Sequence, residues 1–268
     1  MQLYYRERGS GEKTIIIVHG LYGASDNWLS VAKALENEFR VIMVDQRNHG
    51  QSPHSETHTY QAMADDLLTL MQKKNIEKAI LMGHSMGGKT VMRFSLEHPE
   101  MVEKLIVVDI APKSYGSFTN YAEVTADHKK IIDTLSAIDP SKYNDRNEID
   151  KALKPAFPTK QLRAFMMKNL ERKKNGQYHW KINFDALKKN MEEIMNGFSN
   201  LEQQPEQKVP ESVFIKGEKS PYIHEDDKMI ISRFFPGAQI VAIPNAGHWI
   251  HAEQPSLFVK TVKYFLEA

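Results

Sequence analysis

Cysteine is absent from this chain of 268 residues. Neither a disulfide framework nor a thiolate nucleophile can therefore enter its chemistry, and the redox state of its compartment goes unread. Charge of one sign is also lacking: 35 Lys and Arg face 34 Asp and Glu, for a formal net charge of +1. That balance gives no electrostatic reason to expect a nucleic-acid partner. No run approaches the ~18 apolar residues of a membrane span. The opening Met1–Arg8 lacks the apolar stretch of a signal peptide, so a cytoplasmic protein without membrane association is expected. Internal repeats and low-complexity tracts are missing too. Hydrophobic content of 41% and charged content of 26% are ordinary for a globular protein, and the length suits one large α/β domain with an insertion.

What is present alternates strand-like and helix-like segments. Residues 2–8 and 14–18 read as an opening hairpin about Gly9-Ser10-Gly11, followed by a helix near 25–37 and a strand over 39–44. Tyr60–Lys74 has helical spacing, with Met63, Leu67, Leu70 and Met71 on one core-facing side. Strands follow at 78–82 and 102–108, with a helix between them running to about His98. The alternation resumes with a strand at 212–216, a helix near 223–235, a strand at 239–243 and a helix over 255–266. Such alternation implies a mostly parallel sheet covered by helices on both faces. Ligands in such sheets bind beyond the C-terminal ends of the strands.

Gly83-His84-Ser85-Met86-Gly87 stands at one such end, directly after the run Lys78–Met82. A serine with glycine two residues before and after it, between strand and helix, has the pattern of a nucleophile elbow. The motif alone arises by chance in roughly one chain in ten of this length, so its context carries the case. Upstream, the β-branched run Thr14–Val18 ends in His19-Gly20-Leu21-Tyr22-Gly23. The N–H groups of Leu21 and Met86 could together face a substrate oxygen as an oxyanion hole. A serine hydroxyl needs a base at neutral pH. Among 11 histidines, position selects His248, in Asn245-Ala246-Gly247-His248-Trp249 after the last strand. His251 belongs in solvent or behind the site, because no third ligand or H-E-x-x-H pattern makes a metal pair of it. His19 and His84 are expected to hold backbone rather than move protons. Lys89 stands four residues after Ser85, whereas β-lactamase chemistry needs a lysine at three.

These residues resemble the α/β-hydrolase superfamily. Within it they look most like the YbfF/ABHD11-type esterases, through the His19-Gly20 loop, the run Asp45-Gln46-Arg47-Asn48-His49-Gly50-Gln51-Ser52, and Ala246–Trp249. The resemblance covers about residues 1–112 and 206–268. It implies an α/β-hydrolase fold, with that core interrupted by a helical cap over 113–205. The triad acid departs from the common pattern: in Val213–Ser220, serine stands where many relatives carry the acid. Serine cannot hold a negative charge against an imidazolium. The other suitable place is the end of Leu105-Ile106-Val107-Val108-Asp109, where the resembled esterases place a relocated acid. Asp109 is therefore the expected acid, with Asp226 or Asp227 as fallback and Glu218 behind them.

Residues 113–205 give helix-like segments broken by Asp139-Pro140, Lys154-Pro155, Phe157-Pro158 and Asn175-Gly176. Trp180 and Phe184 are the candidate substrate-binding residues among its apolar side chains. Residues 151–189 hold 11 Lys or Arg against Glu171 and Asp185, a solvated surface before it is a guide for anionic substrates such as acyl-CoA. Arg47 and Asn48 should hold loops together. The expected activity is hydrolysis of small to medium acyl esters or thioesters through Ser85, His248 and Asp109, without cofactor or metal. Carbon–carbon bond hydrolysis or perhydrolysis on the same triad, or a slow-turnover ligand sensor, are the alternatives. The partner is a small molecule, and oligomeric state is unreadable.

Overall fold

A computed structural model describes residues 1–116, 122–198 and 208–267. The elements run β1 (Tyr5–Arg8), β2 (Thr14–Val18), α1 (Leu29–Leu35), β3 (Arg40–Val44), α2 (Tyr60–Lys73), β4 (Ala79–His84), α3 (Met86–Glu97) and β5 (Val102–Val108). Between β5 and the next strand of the same sheet lie α4 (Ala122–Ala137), α5 (Arg146–Leu153), α6 (Lys160–Met167), β6 (Leu170–Arg172), β7 (Tyr178–Trp180), α7 (Phe184–Lys189) and α8 (Met191–Asn196). The chain then gives β8 (Glu211–Gly217), α9 (Asp227–Phe234), β9 (Gln239–Ile243), α10 (Ile250–Glu253) and α11 (Pro255–Glu267).

Seven strands form one sheet in the order β1-β3-β2-β4-β5-β8-β9. All neighbours are parallel except β1 and β3. Alternate side chains of each strand enter opposite layers. Ile15, Ile17, Met43 and Met82 pack with Trp28 just before α1, Leu35 of α1, and Phe258 and Val262 of α11. Ile16, Val18, Ile42 and Leu81 pack on the other face with α2, α3 and much of the β5–β8 insert. Burial on both faces explains why the central strands read as unbroken apolar runs.

Two local expectations fail. The opening hairpin does not form: β1 pairs antiparallel with β3, which separates it from β2. Strand β2 is buried along its whole length and belongs between two neighbours, whereas β1 is half exposed and suits an edge. The segment Leu170–Trp180 is not helical but a small antiparallel pair, β6 with β7. Gly176, at φ 88°, makes the turn between them. The helix expected from residue 25 opens as a 3₁₀ turn over Ser25–Trp28, and the one expected from 223 begins at Asp227. Among the described residues, no helix is long and apolar enough to cross a membrane.

Candidate active site

Parallel strands put the C-terminal ends of β2, β4, β5, β8 and β9 along one edge, and every candidate residue of the core sits there. Ser85 links β4 to α3 at φ 53° and ψ −120°, a strained conformation for a non-glycine residue. Its N–H donates to Val108 O (2.9 Å), which locks the turn to the neighbouring strand. The flanking glycines permit the close approach. A Cβ on Gly83 would lie 2.2 Å from Gly87 O, and one on Gly87 would lie 2.3 Å from Val18 O. Among the described residues, no turn, loop or cap hydrogen bond uses the N–H of Leu21 or Met86.

The loop bearing Leu21 is braced by the Asp45–Ser52 run. Gln46 N–H donates to His19 Nε2 (2.9 Å), and His19 Nδ1–H donates to Gly20 O (2.8 Å), which fixes a neutral tautomer. Burial lowers the His19 pKa in keeping with that role. Asp45 accepts from Ser25 N–H and Gln51 N–H. Arg47 forms a two-point pair with Asp66, and Asn48 accepts from Asn183 N–H of the insert. Both hold loops, as expected of them.

His248 follows β9. Its Nδ1–H donates to Asp109 Oδ2 (2.7 Å), which leaves Nε2 as the basic atom. Asp109 is wholly buried, and its carboxylate also accepts from Gly217 N–H at Oδ1 (2.9 Å) and from the Ser220 hydroxyl at Oδ2. Ser220, read in the sequence as standing where an acid was missing, thus donates to the carboxylate of Asp109. The ring of Tyr222 stacks on the imidazole at 3.9 Å and 16°. His84 Nε2–H donates to His248 O (2.8 Å), and Glu253 accepts from Gly247 N–H and Trp249 N–H. Burial and the neighbouring histidines hold the His84 pKa well below its ordinary value, so it serves as a neutral brace.

Two of the fallback acids, Asp227 and Glu218, are engaged elsewhere, and the third, Asp226, makes no side-chain cap to α9. Asp227 pairs with Lys113 and accepts from His224 N–H, while Glu218 accepts from Asn245 N–H. No hydrogen bond joins Ser85 Oγ to the imidazole among the described residues, but both line one cavity of about 370 Å³. Catalytic hydrogen bonds are often long before substrate binds.

Trp180 and Phe184 line neither this cavity nor the smaller one beside Ser85. Trp180 Nε1–H donates to Ile138 O, and the two rings meet edge to face within the insert. Apolar character marked them as buried without saying toward what. Phe157, Leu162, Phe165 and Met166 of the insert line the cavity instead, with Trp249 from the core. His251 is likewise not solvated: it is buried and stacks on Trp28 at 4.1 Å, with burial pushing its pKa down to about 3. The basic surface is partly paired, Lys188 with Asp133 and Lys189 with Glu56. Among the described residues, no group of three His, Cys, Asp or Glu could hold a metal.

Sequence reasoning passed over Lys89 once it failed the β-lactamase spacing. It is 1% exposed, donates from Nζ to Met195 O (2.9 Å) and lies near the rings of Tyr60 and Tyr115. Its place one helical turn after Ser85, within an apolar stretch, was the available signal. Burial lowers its pKa to about 7 from an ordinary 10.5. The unfolded chain therefore binds this proton more tightly, so the folded form is disfavoured below pH 7 and regains stability as pH rises toward 10.5. Lys89→Met should accordingly raise the melting temperature relative to the parent by about 5 °C more at pH 6 than at pH 10. An equal difference at both values would refute the shift. Ser220→Ala removes a hydrogen bond to a charged acceptor and should lower kcat by about tenfold with little change in KM. Unchanged kcat would show that the hydroxyl does not help to hold Asp109.

Comparison with known proteins adds an independent line. Residues 13–255 match the family described as alpha/beta hydrolase fold. The chain is 37% identical over 262 residues to the sn-1-specific diacylglycerol lipase ABHD11 of Danio rerio, covering 97% of this chain and 80% of that one. It is 32% identical to esterase YbfF of Escherichia coli, covering 94% and 92%. Among solved structures, one titled marine microorganism esterase superposes with a TM-score of 0.92 at 44% identity, covering 98% and 99%. On fold, motif and sequence together, the chain belongs to the α/β-hydrolase family and is of the YbfF/ABHD11-like type.

Proposed function

We propose that this protein is a serine esterase and thioesterase for small to medium acyl groups, working through Ser85, His248 and Asp109. The esterase and lipase names of its relatives support ester-bond hydrolysis, and one observation carries the residue assignment. The Asp109–His248 hydrogen bond of 2.7 Å orients an imidazole over the same cavity that Ser85 lines. In the first step Nε2 of His248 takes the Ser85 proton as Oγ attacks the carbonyl carbon. The N–H groups of Leu21 and Met86 receive the developing oxyanion, a stabilisation worth about 10²–10³ in rate for each donor. Nε2 then returns the proton to the departing alkoxide or thiolate, leaving an acyl-serine. Water, deprotonated by the same nitrogen, attacks that ester and restores the hydroxyl. Asp109 stabilises the imidazolium formed in both steps and keeps its orientation. No cofactor enters this scheme.

In this reading residues 1–112 and 206–268 form the hydrolase core and 113–205 a cap over the site. Phe157, Phe165 and Met166 of that cap give the cavity its apolar wall. Fluorophosphonate labelling with peptide mapping tests the nucleophile, and the adduct should fall on Ser85. Continuous hydrolysis of p-nitrophenyl acetate and butyrate should accompany it. A single burst without turnover would instead indicate a ligand sensor, and an adduct elsewhere would sink the assignment.

A further inference from the structure

Two cavities of very unequal size meet at Ser85. The larger, about 370 Å³, carries His248 and Trp249 in its wall. The smaller, about 20 Å³, lies on the Met86 side and is lined by Tyr60, Lys89, Tyr115, Ile194 and Met195. Leu21, Ser85, His128 and Tyr222 line both.

Given Ser85 as nucleophile, on which this inference rests, the tetrahedral carbon has four directions to fill. One bond goes to Oγ and one to the oxyanion beside the Leu21 and Met86 N–H groups. The leaving oxygen must lie against Nε2 of His248 to receive its proton, so the alcohol occupies the larger cavity. The acyl substituent takes the remaining direction, away from the imidazole and into the smaller cavity. A free volume of that size holds about one water molecule, and hence a methyl or ethyl group.

Its walls are tied rather than loose. Tyr60 Oη donates to Ile194 O (2.7 Å), Tyr115 Oη donates to Tyr222 O (2.5 Å), and Lys89 Nζ donates to Met195 O (2.9 Å). All three side chains are 1% exposed. Enlarging the cavity would break hydrogen bonds between buried groups, each costly to leave unmade. We infer that the protein selects esters that join a compact acyl group, acetyl or propionyl, to a bulky apolar alcohol.

The test is a p-nitrophenyl series from acetate to octanoate, run with an acetate series from ethyl to benzyl alcohol. For the parent protein, kcat/KM should fall at least about 30-fold from acetate to hexanoate, while benzyl acetate outpaces ethyl acetate. Met195→Ala widens the smaller cavity but keeps the carbonyl that Lys89 binds. It should raise the hexanoate-to-acetate ratio by about tenfold. Ile194→Ala should act in the same direction, and serves if the first variant does not fold. Octanoate turned over as fast as acetate by the parent protein would overturn the inference, as would a ratio that neither substitution moves. Fluorophosphonate labelling separates the two levels. A labelled Ser85 with long-chain preference defeats only the selectivity, whereas an unlabelled Ser85 without ester turnover defeats the nucleophile itself.

Discussion

The Ser85→Ala variant is expected to lose about 10⁶-fold in kcat while keeping its fold. The side chain at this position caps no helix end, since α3 begins without a side-chain hydrogen bond from Ser85. The backbone strain at φ 53° is paid by serine and alanine alike, so the substitution removes chemistry and little else. Circular dichroism and thermal melting should match the parent protein, and fluorophosphonate should no longer label the chain. Residual turnover within tenfold of the parent would mean that another group performs the attack.

Asp109→Asn should cost about 10⁴-fold in kcat, with KM little changed. The amide can keep its oxygen toward Gly217 N–H, but an NH₂ group then faces Nδ1 of His248 in place of Oδ2. Nδ1 must become an acceptor, the proton moves to Nε2, and the imidazole presents a donor where a base is needed. The lost negative charge also leaves the imidazolium of the transition state unsupported. Asp227→Asn is the informative control, because this residue pairs with Lys113 and receives His224 N–H rather than meeting His248. It should retain activity within a few-fold. The reverse pattern, with Asp109→Asn active and Asp227→Asn dead, would move the acid to α9.

What the sequence disclosed follows from how locally each feature is encoded. Strands β2, β5 and β9 have their expected bounds because they are short β-branched or apolar runs edged by breaking residues. Ser85 was legible because the elbow needs glycine on both sides within five residues. The pairing of β1 was not, since which strand lies beside which depends on burial summed over the whole sheet. Strand pair β6–β7 is three residues on each side, too short for alternation to show against a helical background. Trp180 and Phe184 were misplaced for a related reason: residue type predicts burial, and the direction of burial is set by the insert's tertiary packing. Ser220 was seen only as a missing acid. That its hydroxyl meets Asp109 depends on two strand ends brought side by side from 111 positions apart.

The hydrogen bond between Asp109 and His248 spans 139 positions of chain, whereas β4, which leads into Ser85, lies between β2 and β5, both earlier in the chain than Asp109. On the ribosome, domains take shape as they emerge, N-terminal portions first. A nascent chain can therefore set the turn at Ser85 while the histidine that meets Asp109 has still to be made.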